Sequence, residues 1–249
     1  MNALRAVALV AARELRSFFL QPLAWVVLTA LLVLNGWNFW LALATFNQAG
    51  VPTTELIQFF FSGLLFWLPL LVCLPVLALG LIAEERQTGT LETLLTAPVT
   101  EGQVALGKYL AALGFFCVLW APLAVYIGLL DWLGDVDWRA AAGGFLGLIL
   151  VGGFLLAASL FASALTRNQI VAAIVGFVVV MALFITPFLA GIVVRGETAR
   201  RAFEYVNLLR TMDDFPRGVI DSRRIVYPLS GTVLFLFAAA RLIEAAKGK

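Results

Sequence analysis

The sequence predicts an all-α integral membrane protein with six transmembrane helices, and three observations carry that prediction. Of the 249 residues, 62% are apolar and the mean hydropathy is +0.99. A soluble domain is nearer half apolar, and a chain this short has no interior large enough to hide the excess, so lipid must cover it. Six stretches, roughly 23–44, 59–83, 104–130, 141–165, 169–194 and 226–245, are each apolar over the length a helix needs to cross a bilayer. Charged residues make up only 13% and gather between those stretches. The chain reads as one transmembrane domain, 1–249, without a separable soluble part.

Composition also excludes chemistry. There is no histidine, which removes the commonest metal ligand and the commonest acid–base group. The two cysteines, Cys73 and Cys117, lie inside apolar runs and read as small buried hydrophobes, with no disulfide framework and no metal site. A formal net charge of +2 gives no reason to expect nucleic acid. The wealth of Ala, Leu, Gly and Arg fits a bacterium with a GC-rich genome.

Taken in order, residues 3–19 form an amphipathic segment. Arg5, Arg13, Glu14 and Arg16 alternate with Leu4, Val7, Leu9, Val10, Leu15, Phe18 and Phe19. That mix suits a helix at the headgroup plane, with its cations toward anionic lipid, rather than the frayed start of the first span. Gln21-Pro22 turns the chain into the first span. That span reads as retained rather than as a signal peptide, being too long and lacking a small-residue cleavage site. Within it, Asn35 and Asn38 lie beside Trp37 and Trp40. Intramembrane amides either bond across helices or line a cavity. Pro69, Pro75, Pro122 and Pro187 mark expected kinks.

The second span runs into the polar segment 84–100, which opens Glu84-Glu85-Arg86-Gln87-Thr88-Gly89-Thr90 and continues Leu91-Glu92-Thr93-Leu94-Leu95-Thr96-Ala97-Pro98. Gly89 interrupts the incoming helix, and Thr90 can cap a new one. Leu91, Leu94 and Leu95 fall at i, i+3 and i+4, so they form one apolar face, with Glu92 on the more exposed side. Pro98 ends the run. Thr100-Glu101-Gly102-Gln103 is a capping box, with Val99 and Val104 as its staple, so the third span starts near Glu101. Lys108 is expected to snorkel to the interface. Glu84, Glu85 and Arg86 are expected to pair with charges on a partner or on the N-terminal helix. The three leucines are expected to fill an apolar groove. In the fourth span, Gly143-x-x-x-Gly147 permits close helix approach.

Residues 195–225 are polar and rich in turn formers. Residues 197–209 can form a helix with Phe203, Val206 and Leu209 on one side. Phe215, Gly218, Ile220, Asp221 and Tyr227 then form a gate or partner-contact candidate at the foot of the last span, or part of a re-entrant plug. Basic flanks set the orientation. Arg5, Arg13 and Arg16 precede the first span and Arg241, Lys247 and Lys249 end the chain, whereas 47–55 holds no Lys or Arg. An even number of spans puts both termini and 84–100 in the cytoplasm. The segment 195–225 is then extracytoplasmic, although it carries seven arginines.

These residues resemble a known family. The acidic pair Glu84-Glu85, the run from Gly89 to Pro98, and Gly107-Lys108 entering the third span are similar to the cytoplasmic coupling segment of type-2 ABC-transporter permeases. The nearest branch is that of gliding-motility and nitrous-oxide-reductase-maturation permeases. The run from Phe215 through Gly218-Val219-Ile220-Asp221 to Tyr227 is similar to the stretch before that branch's last span, although Met212-Asp213-Asp214 stands where a His is frequent. The resemblance implies a half-transporter in a bacterial inner membrane. It pairs with a second permease copy and two nucleotide-binding subunits, with a possible extracytoplasmic accessory protein.

Glu84, Glu85, Arg86, Gly89, Thr90, Leu91, Glu92, Leu94, Leu95 and Pro98 would make the coupling contact. The chain holds no phosphate-binding loop of the Gly-x-x-x-x-Gly-Lys-Ser/Thr type, so it is not itself expected to be an enzyme. ATP and Mg are expected on the partner. An intramembrane enzyme would need a nucleophile–base pair, and a secondary transporter would need internal repeats or midplane charges. Neither signature is visible. A structural scaffold that docks a cytoplasmic partner without transport is the alternative, and the shaped elbow argues against it.

Overall fold

The structure, a computed structural model, describes residues 3–49, 53–90, 99–133, 136–193, 196, 203–219 and 221–246. The helices are α1 (Ala3–Leu20), α2 (Pro22–Ala49), α3 (Thr53–Ser62), α4 (Leu64–Ala78), α5 (Ala83–Thr88), α6 (Glu101–Leu133), α7 (Trp138–Leu165), α8 (Gln169–Val193), α9 (Leu208–Asp214) and α10 (Ser222–Ala246). A 3-10 turn, Phe215–Arg217, follows α9. No strand occurs among the described residues. Six segments are long and apolar enough to cross a membrane: Pro22–Ala44, Glu55–Thr88, Glu101–Trp132, Trp138–Leu165, Gln169–Pro187 and Ser222–Ala245. The all-α, six-span expectation holds.

Burial identifies the centre. In the most apolar window of α7, 72% of residues are buried, against 11% in α10 and 22% in α8. Helix α7 therefore stands inside a ring formed by α4, α6, α8, α10 and the 3-10 turn. Its glycines let those neighbours close in. Gly144 lies under the Phe61 ring and Gly152 under the Phe116 ring. Exposed Val26, Val33, Ile174, Val178, Val233 and Leu234 on the outer helices present the apolar surface that lipid must cover. Cys117 is among the exposed side chains, a departure from the buried position expected for it.

The second span departs most from its reading as one apolar run. It is three helices. Gly63 is extended (φ −66°, ψ 156°) and starts α4, and its N–H bonds to the Phe59 carbonyl. Pro69 and Pro75 then weaken α4 by removing two N–H donors. Past Ala78 the chain turns, with Leu79 and Leu81 donating three residues back to Val76 and Ala78, before α5 begins at Ala83. The elbow is thus set off from its span by a turn ahead of it and by Gly89 behind it.

Helix α1 follows α6 in the same direction. Val10 packs on Gly107, Leu15 on Gly114, and Phe18 stacks on Phe115 at 5.0 Å, the contacts advancing together for about two turns. Its buried stripe is Ala6, Val7, Val10, Glu14 and Phe18, at helical spacing. Exposed tryptophans mark levels along the bundle. Trp25, whose indole donates to the Phe19 carbonyl, stands near the α1 end. Trp132 and Trp138 flank the far connection between α6 and α7, while Trp37 and Trp40 lie in the C-terminal half of α2.

Candidate functional site

At the end of the bundle where α1 packs, the short helix α5 is bonded directly to α6, α7 and α10, and through Lys108 to α1. Its own sequence is too short to be stable alone. Ile82 offers no side-chain cap, so the first N–H of α5, that of Ala83, donates 3.1 Å to the Ser163 hydroxyl near the end of α7. Gly89 closes α5 at φ +73°, a conformation that a side chain would strain. Thr88 and Thr90 share a hydroxyl–hydroxyl bond of 2.9 Å across that glycine.

Two neighbouring side chains of α5 are turned inward. Glu85 pairs with Lys108 of α6 at 2.8 Å, and Lys108 also pairs with Glu14 of α1 at 3.2 Å. Lys108 is 0% exposed. Snorkelling was expected, and the structure overturns it. Lys108 lies where α1 covers α6, so its ammonium has no path to water and takes two carboxylates instead. An ammonium in that position is tolerable only with such short, charge-assisted bonds.

Arg86 reaches the opposite wall. Its guanidinium donates to the Ala164 carbonyl at the end of α7 and, at 2.7 Å, to the Leu242 carbonyl late in α10. Ala164 is in the last turn of α7, where carbonyls lack helical partners and carry the negative dipole end, which suits a cation; Leu242 lies one turn before the end of α10.

Of the two alternatives expected for Glu85 and Arg86, charges on a partner or on the N-terminal helix, the structure joins Glu85 to the N-terminal helix through Lys108 and Glu14, while Arg86 bonds to backbone carbonyls. Glu84 is only half-buried. Its carboxylate stands against Gly80 at a cavity of about 110 Å³ with a mixed lining, Glu14, Ser17, Gln21 and Gln169 among the polar residues and Phe18, Val27, Val76 and Leu81 among the apolar ones. Leu91, Glu92, Leu94, Leu95 and Pro98 lie outside the described residues. On the far side of them the capping box is formed in both directions. The Thr100 N–H donates 3.1 Å to the Gln103 amide oxygen, and the Gln103 N–H donates 3.4 Å to the Thr100 hydroxyl.

The other candidates lie at the opposite end of the bundle. The single helix expected over 197–209 is not formed. Asn207 is extended, and its side chain accepts from the Leu209 and Arg210 N–H groups to start α9 afresh. Residues 197–202 are outside the described part. Phe215 is fully buried, so it is no surface for a partner. It sits on α7, where Gly143 faces its carbonyl and Gly147 faces its ring and the Met212 sulfur. The Gly143-x-x-x-Gly147 pair therefore seats the 3-10 turn instead of another span. Gly218 ends that turn at φ +76°, and Asp221 accepts from the Arg223 N–H at the start of α10. Tyr227 lies between the rings of Phe154 and Tyr205, at 5.3 and 6.0 Å. Ile220 is outside the described residues. An open polar groove, lined by Glu55, Gln58, Ser62, Asp213 and Arg217, runs beside α3.

In α2, Asn35 has no bond across helices among the described residues. Its amide donates 3.0 Å to its own Leu31 carbonyl. Asn38 is buried with no partner among the described residues, and nothing in the structure explains it.

Sequence reasoning missed Glu14, Ser163 and the inward role of Lys108. The one available signal was Lys108 itself, the only charged residue between Glu101 and Asp131 in an otherwise apolar helix.

A comparison with curated proteins found no match. Residues 21–193 match the family model described as ABC-2 family transporter protein, a span that takes in α2 to α8 with the α5 joint. That match covers more than half of the chain, so this protein belongs to the ABC-2 transporter family, as a multi-pass membrane permease subunit of an ABC transporter.

Proposed function

We propose that this chain couples ATP hydrolysis on separate nucleotide-binding subunits, which hold the ATP and Mg, to movement of its own membrane helices. The docking element is the segment 84–100, with Leu91, Leu94 and Leu95 entering a groove of the ATPase. The permease works beside a second copy, in a bacterial inner membrane, with both termini and the elbow in the cytoplasm. Residues 195–225 are extracytoplasmic, forming a gate or a contact for an accessory protein. Within the family, the runs around Gly89 and before Tyr227 favour the gliding-motility and nitrous-oxide-reductase-maturation branch.

One observation supports this reading above the others. The helix that leads into the segment is tied through Glu85 and Arg86 to α1, α6, α7 and α10. A load applied at the elbow is thereby delivered to most of the bundle. A passive tether would need no buried ammonium.

The test is purification from the native membrane with bound proteins retained. ATP hydrolysis is expected only in preparations that hold a second, nucleotide-binding chain. Transporter-like hydrolysis by the permease alone would overturn the reading.

A further inference from the structure

The joint at α5 has two prongs, which join different parts of the bundle. Glu85 reaches Lys108, and through it α6 and α1. Arg86 reaches the ends of α7 and α10. Successive residues of a helix point about 100° apart, so neighbouring positions address different walls. A single contact would hold a six-residue helix in place. Two contacts of different kind, set on two walls, do more. The first is a buried ion pair. The second is a bond to backbone carbonyls, which cannot swing as side chains do.

We propose that Glu85, Arg86 and Lys108 are positioning residues of the coupling stroke. The elbow straddles the seam between the α1–α6 pair and the α7–α10 pair, and its displacement shifts one pair against the other. This rests on the coupling role proposed above for residues 84–100. Gly89, at φ +73°, is the pivot just beyond the prongs, and the turn of residues 79–82 is the pivot just before them. The cavity beside Glu84 leaves the turn room to move. Lys108 acts through Glu85 and does not itself meet the partner.

The test uses the full chain in lipid vesicles, with Cys73 and Cys117 replaced by Ala and spin labels at exposed positions. One pair joins Gln87→Cys to Gly102→Cys on α6. The other joins Gln87→Cys to Ala245→Cys on α10. Glu85→Ala leaves Lys108 paired with Glu14. It should broaden the first distance distribution about twofold and leave the second unchanged. Arg86→Ala should do the reverse.

Arg86→Lys, which still donates to a carbonyl, should keep the second pair narrow, and Lys108→Arg should keep the first. Equal broadening of both pairs in either variant, or no broadening in either, would overturn the two-pronged joint. In the complex retained with its ATPase, ATP with vanadate should shift both wild-type distances. If neither shifts while the variants behave as stated, the coupling reading fails and the joint stands.

Discussion

Gly143 is where a single methyl group has the clearest consequence. A Cβ built there would overlap the Phe215 carbonyl oxygen. The obstacle is backbone, so no rotamer change relieves it. One turn on, a methyl at Gly147 would meet Met212 Sδ at 3.1 Å and Phe215 Cβ at 3.3 Å, so that side offers no slack either. Gly143→Ala must therefore lift the 3-10 turn from α7. Overpacking of this kind costs about 1–3 kcal/mol. The upper bound is loss of the Phe215 seat altogether, about 3–5 kcal/mol for a buried phenylalanine.

The control is Gly128→Ala in α6, where a methyl meets nothing within 4 Å. Replacing a helix-interior glycine there should gain up to ~1 kcal/mol. The two variants should thus differ by roughly 1–4 kcal/mol. Thermal unfolding in detergent measures the difference. Trypsin cleavage after exposed Arg217 reports the local event, and should accelerate in Gly143→Ala alone. If Gly143→Ala melts with Gly128→Ala and its cleavage rate is unchanged, the packing of the turn on α7 is wrong.

Other outcomes follow from the same geometry. Lys108→Met strands two nearly buried carboxylates and should cost about 3–5 kcal/mol in detergent unfolding. Adding Glu14→Gln and Glu85→Gln should recover much of that loss, a non-additivity that independent sites would not show. Asn207→Ala removes the α9 cap and should cost about 1 kcal/mol, with faster hydrogen exchange at Leu209 and Arg210, while Asn207→Asp should behave as wild type. Leu95→Asp should weaken assembly with the ATPase by placing an ion in a buried contact, and Glu92→Ala should not; equal assembly of both would argue against the apolar face assigned to the segment.

Much of this fold is readable because membrane insertion imposes a coarse code. Lengths of apolar sequence and the charges between them locate α2, α6, α7, α8 and α10 to within a few residues. Local hydrogen-bond chemistry is readable too. The Thr100–Gln103 box and the Gly89 break depend on neighbours in sequence, and both are found. What was not legible depends on distant partners. Hydropathy cannot separate one kinked span from α3, α4 and α5, because Gly63 and residues 79–82 are as apolar as their surroundings. Nor can it tell a snorkelling lysine from one sealed by α1. Position 108 near a helix start allows both, and only the approach of Glu14 and Glu85 decides between them. The helix expected over 197–209 failed for a local reason. Its period was taken as sufficient, while Asn207, a strong cap residue, marked a new start.

The arginines of residues 195–225 bear on orientation, the remaining prediction. Free cations next to a span hold it on the cytoplasmic side, so seven of them argue against an outer location. The structure shows two of them engaged. Arg224 pairs with Asp214 at 2.6 Å and is largely buried, and Arg210 lies 3.4 Å from Glu204. Arg210 stays exposed, but a paired, packed arginine such as Arg224 is part of the foot of α10, and it attracts an anionic leaflet less than a free one. Parity then decides. Six spans put residues 84–90 and residues 203–221 at opposite ends of the bundle, and α9 indeed packs on the end of α7 farthest from Ser163. Single cysteines at Thr93 and Ser222, in a Cys73→Ala, Cys117→Ala background, should react with a membrane-impermeant thiol reagent from opposite sides. Reaction of both from one side would mean that one of the six helices does not cross. The outer groove beside α3 would then face the same compartment as the elbow.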